Sequence, residues 1–274
     1  MAMKTNKWMT GMVMCAGLSL AACTSMDEGL SGPAGTGEGQ LMLNLVSGTK
    51  FTEDTRAVNE NDYKNTDKYT VVVIDANNIE KLNCLGSEVA SKMPLTMPIG
   101  SYTVKAFYGT ESHASRNNFY VYGESKGNIG ADKEEPVEIT CIPTCGRITV
   151  NFHEDMSSFF SDYKVTFEGT EALGETDIDW EKDDTEPWYV KLKEGENGEE
   201  ITFTITTTVK NEYIDKTQEA TKTGKFTLKR NYAYKMNVKV NYTPSTEGDL
   251  KIEVTIDEST NDKPVDIEVP VDWI

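Results

Sequence analysis

Cys23 carries the clearest chemistry in the sequence, because a cysteine thiol can be acylated and this one directly follows two small residues. Two lysines lie among the first seven residues, and the 13 residues from Trp8 to Leu20 are uncharged and mostly apolar. A positive start, a short apolar run and small residues before a cleavage point are typical of a secretory signal peptide. The run is too short for the ~20 apolar residues that span a bilayer. The beginning of the chain therefore predicts export.

The stretch Leu20-Ala21-Ala22-Cys23 resembles the lipobox of bacterial lipoproteins. That resemblance implies signal-peptide cleavage between Ala22 and Cys23, and diacylation of Cys23 as the first residue of the mature chain. It makes the membrane a partner through the lipid anchor. The alternative is an ordinary signal peptide with an incidental cysteine.

Catalytic chemistry has little support in the remaining residues. The two histidines, His113 and His153, lie in polar surroundings, and neither is accompanied by a nucleophile-elbow glycine pattern. No phosphate-binding glycine loop, H-E-x-x-H pair or dinucleotide fingerprint occurs. We predict that the protein is not an enzyme and uses no cofactor.

Three cysteines remain after Cys15 is removed and Cys23 is acylated: Cys84, Cys141 and Cys145. The last two are four residues apart, ~13 Å in an extended strand, which is beyond disulfide reach. Pro143 between them could fold the chain back, so the pattern leaves open whether they pair or remain buried thiols. In either case we predict a structural role.

The densest acidic cluster invites a calcium interpretation, since calcium prefers several carboxylate oxygens. Aligned as an EF-hand loop from Asp177, however, the cluster has Lys182 in place of the turn glycine and Trp188 in place of the bidentate glutamate. We therefore predict a solvated acidic loop and no metal site. The members of the cluster are Asp177, Asp179, Glu181, Asp183 and Asp184.

Trp180 and Trp188 could stack on sugar rings, as exposed aromatic residues do in carbohydrate-binding modules. The alternative is core packing, the commoner fate of large aromatic side chains. The segment Trp188–Leu192 has a pattern that also fits a strand with Trp188 packed inward.

The charge of the chain excludes some partners. The 274 residues carry a net charge of −18, and removal of residues 1–22, which hold two lysines and no acidic residue, leaves −20. So negative a surface repels the phosphates of nucleic acids. We predict no nucleic-acid partner.

The elements that must position these residues are β-strands. From Gln40 onward, apolar and polar residues alternate with period 2, between turns rich in Asn, Asp, Gly and Pro. The pattern predicts strands within 41–46, 69–74, 102–108, 119–122, 137–141, 148–152, 163–167, 201–209, 234–242, 252–256 and 267–271. A short Ser/Phe-rich segment before Tyr163 allows one helical turn, and Pro270 makes the last strand an edge or a terminal strand.

We predict an all-β fold: two tandem antiparallel β-sandwich domains after a signal peptide and a flexible tether. The chain divides near Pro143 into strand groups of ordinary domain size. The predicted segments are the signal peptide at 1–22, a glycine-rich tether at 23–39, an N-terminal domain at 40–142 and a C-terminal domain at 143–274.

Three stretches resemble the fimbrillin-like lipoproteins of Bacteroidetes, which form type V pili, and more narrowly an uncharacterised lipoprotein family within that fold group. They are Met97–Ala106, Pro143–Val150 and Asp266–Ile274. The resemblance implies transthyretin-like, Greek-key sandwiches and fimbrial subunits as partners. In pilus-forming relatives a trypsin-like protease cuts after an early arginine and frees the first strand, so Arg56 is a candidate maturation site. The alternative is that Arg56 is one exposed loop arginine.

Asp27 and Glu28, just after Cys23, resemble the surface-export signal of Bacteroidetes lipoproteins. The alternative is an ordinary acidic tether. Together these features predict a non-enzymatic outer-membrane lipoprotein displayed at the cell surface, with a structural or adhesive role related to fimbriae. The alternative function is a surface glycan-binding lipoprotein with host or other glycan ligands.

Surface display predicts a result for proteolysis of whole cells. Protease added to intact cells should degrade the protein as completely as it does after permeabilisation, because the chain lies outside the outer membrane. Immunoblotting measures the loss, with a periplasmic protein as the control. Protection until permeabilisation would contradict surface display.

Overall fold

The computed structural model describes residues 37–52, 57–168, 173, 177–193, 198–210, 219–243, 249–259 and 266–269. These residues form seventeen strands, two short α-helices and two 3₁₀ helices. The part of the chain after residue 35 forms one compact unit. The predicted all-β fold is thus confirmed, whereas the predicted division into domains at 142/143 stays a prediction.

The first half of the chain, up to Pro143, contributes eight strands. They are β1 (Glu38–Ser47), β2 (Thr70–Asp75), β3 (Glu80–Leu85), β4 (Leu95–Pro98), β5 (Gly100–Gly109), β6 (Ala114–Ser115), β7 (Tyr120–Ile129) and β8 (Glu134–Pro143). Two 3₁₀ helices (Glu60–Lys64 and Thr66–Lys68) precede β2, and α1 (Gly86–Lys92) follows β3.

The second half, from Cys145, contributes nine strands. They are β9 (Cys145–Phe152), β10 (Phe160–Glu168), β11 (Ile178–Glu181), β12 (Trp188–Lys191), β13 (Glu199–Val209), β14 (Glu219–Leu228), β15 (Ala233–Thr243), β16 (Asp249–Ser259) and β17 (Asp266–Val269). The predicted helical turn before Tyr163 is α2 (Met156–Phe159).

Seven strands of the first half form a sheet in the order β3-β2-β5-β7-β8-β1-β4. The sheet turns a corner between β7 and β8, where only two residue pairs are in register. Side chains from both arms meet in one buried cluster, among them Val73 and Val104 from one arm and Leu41 and Ile139 from the other. The bent sheet therefore encloses the first hydrophobic core.

The second core lies between two sheets, a four-stranded sheet β11-β10-β13-β14 and a six-stranded sheet β17-β16-β15-β9-β12-β6. Phe167 and Phe203 enter it from the first sheet, and Met236 and Val254 from the second. β17 is an edge strand, as the following proline predicts.

Two strand pairs are parallel: β1 with β8, and β9 with β15. The other described pairs are antiparallel, as predicted. A parallel pair requires a crossover connection, because a hairpin turn can join only antiparallel strands. In the first pair, β1 runs alongside β8 over eight residue pairs, from Gln40–Glu134 to Ser47–Cys141.

Gly224 on β14 lies opposite Phe203 on β13, and a Cβ at Gly224 would overlap the Phe203 ring. Phe203 is buried in the second core, so its ring has little room to move. Gly224→Val should therefore destabilise the protein by about 1–3 kcal/mol. Chemical denaturation measures the change.

The matched control is Thr221→Val on the same strand, at an exposed position. It should change the free energy of unfolding by less than about 0.5 kcal/mol. Equal stability of the Gly224→Val protein and the wild type would contradict the packing described for Phe203.

Candidate functional site

A buried acidic side chain joins the two halves. Glu60 begins the first 3₁₀ helix, where the Asn59 side chain caps the backbone N–H of Asn61, and its carboxylate is fully buried. Arg147 on β9 donates from Nη1 to both carboxylate oxygens, at 3.1 and 3.2 Å. Tyr189 on β12 donates its hydroxyl to Oε1 at 2.8 Å. A buried charge is costly unless it is paired, so this carboxylate fixes both second-half strands against the first half.

Aromatic rings surround the ion pair. Phe119 stacks on Tyr63 with ring centroids 3.7 Å apart, and on Tyr189 at 4.8 Å. Phe51 contacts Phe119 edge-on at 5.4 Å and lies 5.9 Å from the Arg147 guanidinium. Burial and the nearby Glu60 charge raise the pKa of Tyr189, which keeps its hydroxyl protonated as a donor. The rings thus exclude water from the ion pair.

Asn231 holds the segment that leaves β1. It lies in the turn between β14 and β15 with a φ of 61°, a left-handed conformation that asparagine tolerates. Its side chain donates to the Gly48 carbonyl at 2.8 Å and accepts from the Lys50 N–H at 2.9 Å. Its own N–H donates to the Cys145 carbonyl at 2.8 Å. One side chain of the second half therefore fixes the path of the first half after its first strand.

Backbone pairing completes the contact between the halves. Strand β6, from the loop before β7, pairs antiparallel with β12 through Ala114–Val190 and Ser115–Tyr189. The Lys191 N–H donates to the His113 carbonyl at 2.8 Å. A first-half loop is thus an edge strand of a second-half sheet. We call these contacts of Glu60, the four rings, Asn231 and β6 the junction.

The two tryptophans predicted to stack on sugars lie around Arg116. Trp180 has no exposed surface, and its indole N–H donates to the Asp184 carbonyl at 3.2 Å. The Arg116 guanidinium lies 4.9 Å from the ring of Trp180 and 4.6 Å from that of Trp188. It also pairs with the Asp184 carboxylate at 2.6 Å. The stacking role is therefore wrong for Trp180, because its ring belongs to the second core; for the partly buried Trp188 it stays a prediction.

The other polar candidates lie apart. His113 and His153 are both exposed, and His153 pairs with Asp155 at 2.9 Å. In the acidic loop, Asp179 accepts from Thr166 at 2.6 Å and from Lys164 at 3.1 Å, and these contacts lower its pKa. Among the described residues, no group of three or more histidine, cysteine, aspartate or glutamate side chains could hold a metal ion.

The three described cysteines are buried and unpaired. Burial raises the pKa of the Cys141 thiol to about 12 and also raises that of Cys145. A thiol that stays protonated is a poor nucleophile, which fits a packing role.

Ala22, Cys23 and Arg56 lie outside the described residues, so cleavage, lipidation and maturation at these positions stay predictions. No helix in the described ranges is long and apolar enough to cross a membrane.

The residues of the junction gave little signal in the sequence. Glu60 and Asn231 are single polar residues in polar loops, where many such residues are solvated. Arg147 gave the one hint, a charged residue at the start of the otherwise apolar alternation of β9. Its burial shows that it needs an acidic partner, but only the folded chain identifies Glu60.

The fold and the junction define an all-β protein in which one bent sheet encloses the first hydrophobic core, two sheets enclose the second, and a buried ion pair joins the two halves. The chain belongs to the family described as Domain of unknown function (DUF4493), whose model matches residues 37–271. The predicted membership of an uncharacterised domain family is thereby confirmed. No curated protein matches the sequence.

Several solved structures are similar to this chain. A candidate adhesin from Bacteroides thetaiotaomicron is 11% identical, with 86% of this chain and 99% of that chain covered and a TM-score of 0.44. A fimbrial assembly protein from Parabacteroides distasonis is 12% identical, with 84% and 98% covered and a TM-score of 0.39. The fimbrial anchor protein Mfa2 from Porphyromonas gingivalis is 11% identical, with 84% and 99% covered and a TM-score of 0.37.

The junction predicts an asymmetry between single and double substitutions. Arg147→Leu should destabilise the protein by about 3–5 kcal/mol, because it leaves the Glu60 charge buried without its cation. The double variant Arg147→Leu/Glu60→Met should recover most of that loss, since no buried charge remains. Chemical denaturation measures both free energies of unfolding.

The matched control is Lys225→Leu, which breaks the exposed Lys225–Glu200 pair (2.7 Å). Its cost should stay below about 1 kcal/mol. If the double variant were as unstable as Arg147→Leu, the buried charge would not be the cause of the destabilisation.

Proposed function

We propose that the protein is a non-enzymatic, lipid-anchored component of the outer surface of the cell, with a structural or adhesive role related to fimbriae. The observation that carries this proposal is the position of β1. This first described strand lies between β8 and β4, and the described chain continues from its carboxyl-terminal end into the rest of the fold.

β1 combines strong pairing with a simple connection. Leu41 of β1 is fully buried in the first core. The amino-terminal part of β1 pairs with β4 at four positions, from Glu38–Pro98 to Leu41–Leu95. Loss of β1 would expose the edges of two strands and the apolar floor that Leu41 covers. Such a groove accepts an extended strand from another chain through main-chain hydrogen bonds. Proteolysis after Arg56 would cut the chain after β1 and so allow β1 to leave the sheet.

The lipid anchor at Cys23 complements this role. Between Cys23 and the start of β1 at Glu38, the glycine-rich tether reaches at most about 50 Å when extended. A body on such a tether stands clear of the bilayer, and the net charge of −20 that remains after removal of residues 1–22 keeps it from anionic headgroups.

The described side chains also favour a role without catalysis. His113 and His153 are exposed and lie in separate loops, and the thiols of Cys141 and Cys145 have raised pKa values. These groups are not assembled around one another as a nucleophile and its base would be.

The proposal predicts a specific effect of Arg56→Gln in the native host. Wild-type cells should release an amino-terminal fragment ending at Arg56 and carry surface filaments that contain the protein. The variant should do neither, because the cleavage site is gone. Immunoblotting detects the fragment, and immunogold electron microscopy detects the filaments.

Lys50→Gln is the matched control, since it removes the same charge from an exposed position close in sequence. It should leave both readouts unchanged. Filaments on Arg56→Gln cells would remove Arg56 from the mechanism, and wild-type cells that display the protein without filaments would contradict a fimbrial role.

A further inference from the structure

Three aromatic side chains line the outer face of the first half. Phe107 on β5 and Tyr120 and Tyr122 on β7 alternate with core residues and are each partly exposed. Ring centroids are 6.0 Å apart for Phe107–Tyr120 and 6.2 Å apart for Tyr120–Tyr122. We call this set the aromatic strip. Its rings are of the kind that pack against the C–H face of a sugar.

The strip leads into an open depression of about 490 Å³, within the usual size range of ligand sites. Tyr120 and Tyr122 line one side of it. Residues of the second half line the other: Lys191 ends β12, Lys193 follows it, and Arg230 lies in the turn before β15. The junction holds these two sides together.

The depression inverts the charge of the protein. The chain carries −18 overall, yet the described residues of the lining include three cations and a single carboxylate, that of Glu111. Arg230 donates from Nε and Nη2 to the Leu192 carbonyl at 3.1 and 2.8 Å, which fixes its guanidinium. Glu111 accepts from Lys191 across the depression. A ligand anion would compete with Glu111 for that lysine.

We propose that the aromatic strip and the depression bind an oligosaccharide that carries carboxylate or sulfate groups. Sugar rings lie on the strip, and an anionic group meets Lys191, Lys193 and Arg230. Arginine and lysine form charge-assisted hydrogen bonds to either anion, so the chemistry is shared by uronic acids and sulfated sugars. Nucleic acid has the same sign of charge, but the rest of the surface repels its extended phosphate backbone. This site does not depend on β1 or on strand exchange.

Calorimetric titration of the purified full chain with four probes tests the proposal. The probes are a galacturonate hexamer (carboxylates), a carrageenan hexamer (sulfates), maltohexaose (neutral) and a single-stranded oligonucleotide. At least one anionic hexamer should bind, and comparison of the two identifies the anion. Maltohexaose and the oligonucleotide should bind more weakly.

Two variants should move the affinity in opposite directions. Lys191→Gln should weaken binding by about tenfold, the size of one charge-assisted hydrogen bond, and leaves Glu111 to repel the ligand. Glu111→Gln should strengthen binding several-fold, because it removes the competing carboxylate. Higher salt should weaken binding to the wild type.

The matched controls are Lys225→Gln and Glu200→Gln, which alter an exposed ion pair of the same kind on the four-stranded sheet. Both should bind like the wild type, and the thermal midpoints of all four variants should match, so that changes in affinity do not reflect unfolding. The proposal is overturned if neither anionic hexamer binds at millimolar concentration, or if maltohexaose or the oligonucleotide binds as tightly as the anionic hexamers. It is also overturned if Glu111→Gln and Lys191→Gln shift the affinity in the same direction.

Discussion

The buried carboxylate of Glu60 is the constraint on which the arrangement of the two halves depends. A charge without solvent contact must be neutralised in place, and its partners Arg147 and Tyr189 come from two different strands of the second half. The ion pair of Glu60 with Arg147 requires one arrangement of the two halves. Ring stacking, the Asn231 contacts and the β6–β12 pairing stabilise that same arrangement. A hydrophobic contact of equal area would tolerate sliding, whereas the directional bonds to one carboxylate accept a single register.

The depression on the outer surface exists only because the two halves are held in that fixed arrangement. Neither half alone contains the depression, because its tyrosines belong to β7 and its cations to the end of β12, the residues just after it and the turn before β15. Elsewhere the surface discourages association: the edge strand β14 carries Lys222 and Lys225, and charged side chains, lysine above all, protect open sheet edges. The protein thus concentrates its unusual surface chemistry at the line where its halves meet.

Local alternation predicted those strands with one face in a core, as in β5, where Tyr102, Val104 and Ala106 are buried. It missed β14, because Lys222 and Gly224 occupy two of its inward positions and interrupt the apolar period that Phe226 and Leu228 would otherwise show. It could not give the parallel pairing of β1 with β8, which joins residues 94 positions apart, as between Asn44 and Glu138. For the tryptophans the sequence allowed both core and surface positions. The junction could not be predicted from the sequence for the same reason as the parallel pair, because residues that meet over a long sequence separation produce no local periodic pattern.

The parallel alignment of β1 and β8 has a mechanical consequence. β1 begins on the side of the chain that leads to Cys23, and β8 passes through Thr144 directly into β9 and the second half. In the chain that has not been cleaved after Arg56, tension between an anchor at the amino end and a contact made by the second half would draw the two strands along each other in opposite directions. All eight residue pairs would then resist together, in shear. An antiparallel pair with the same connections would instead peel apart one hydrogen bond at a time.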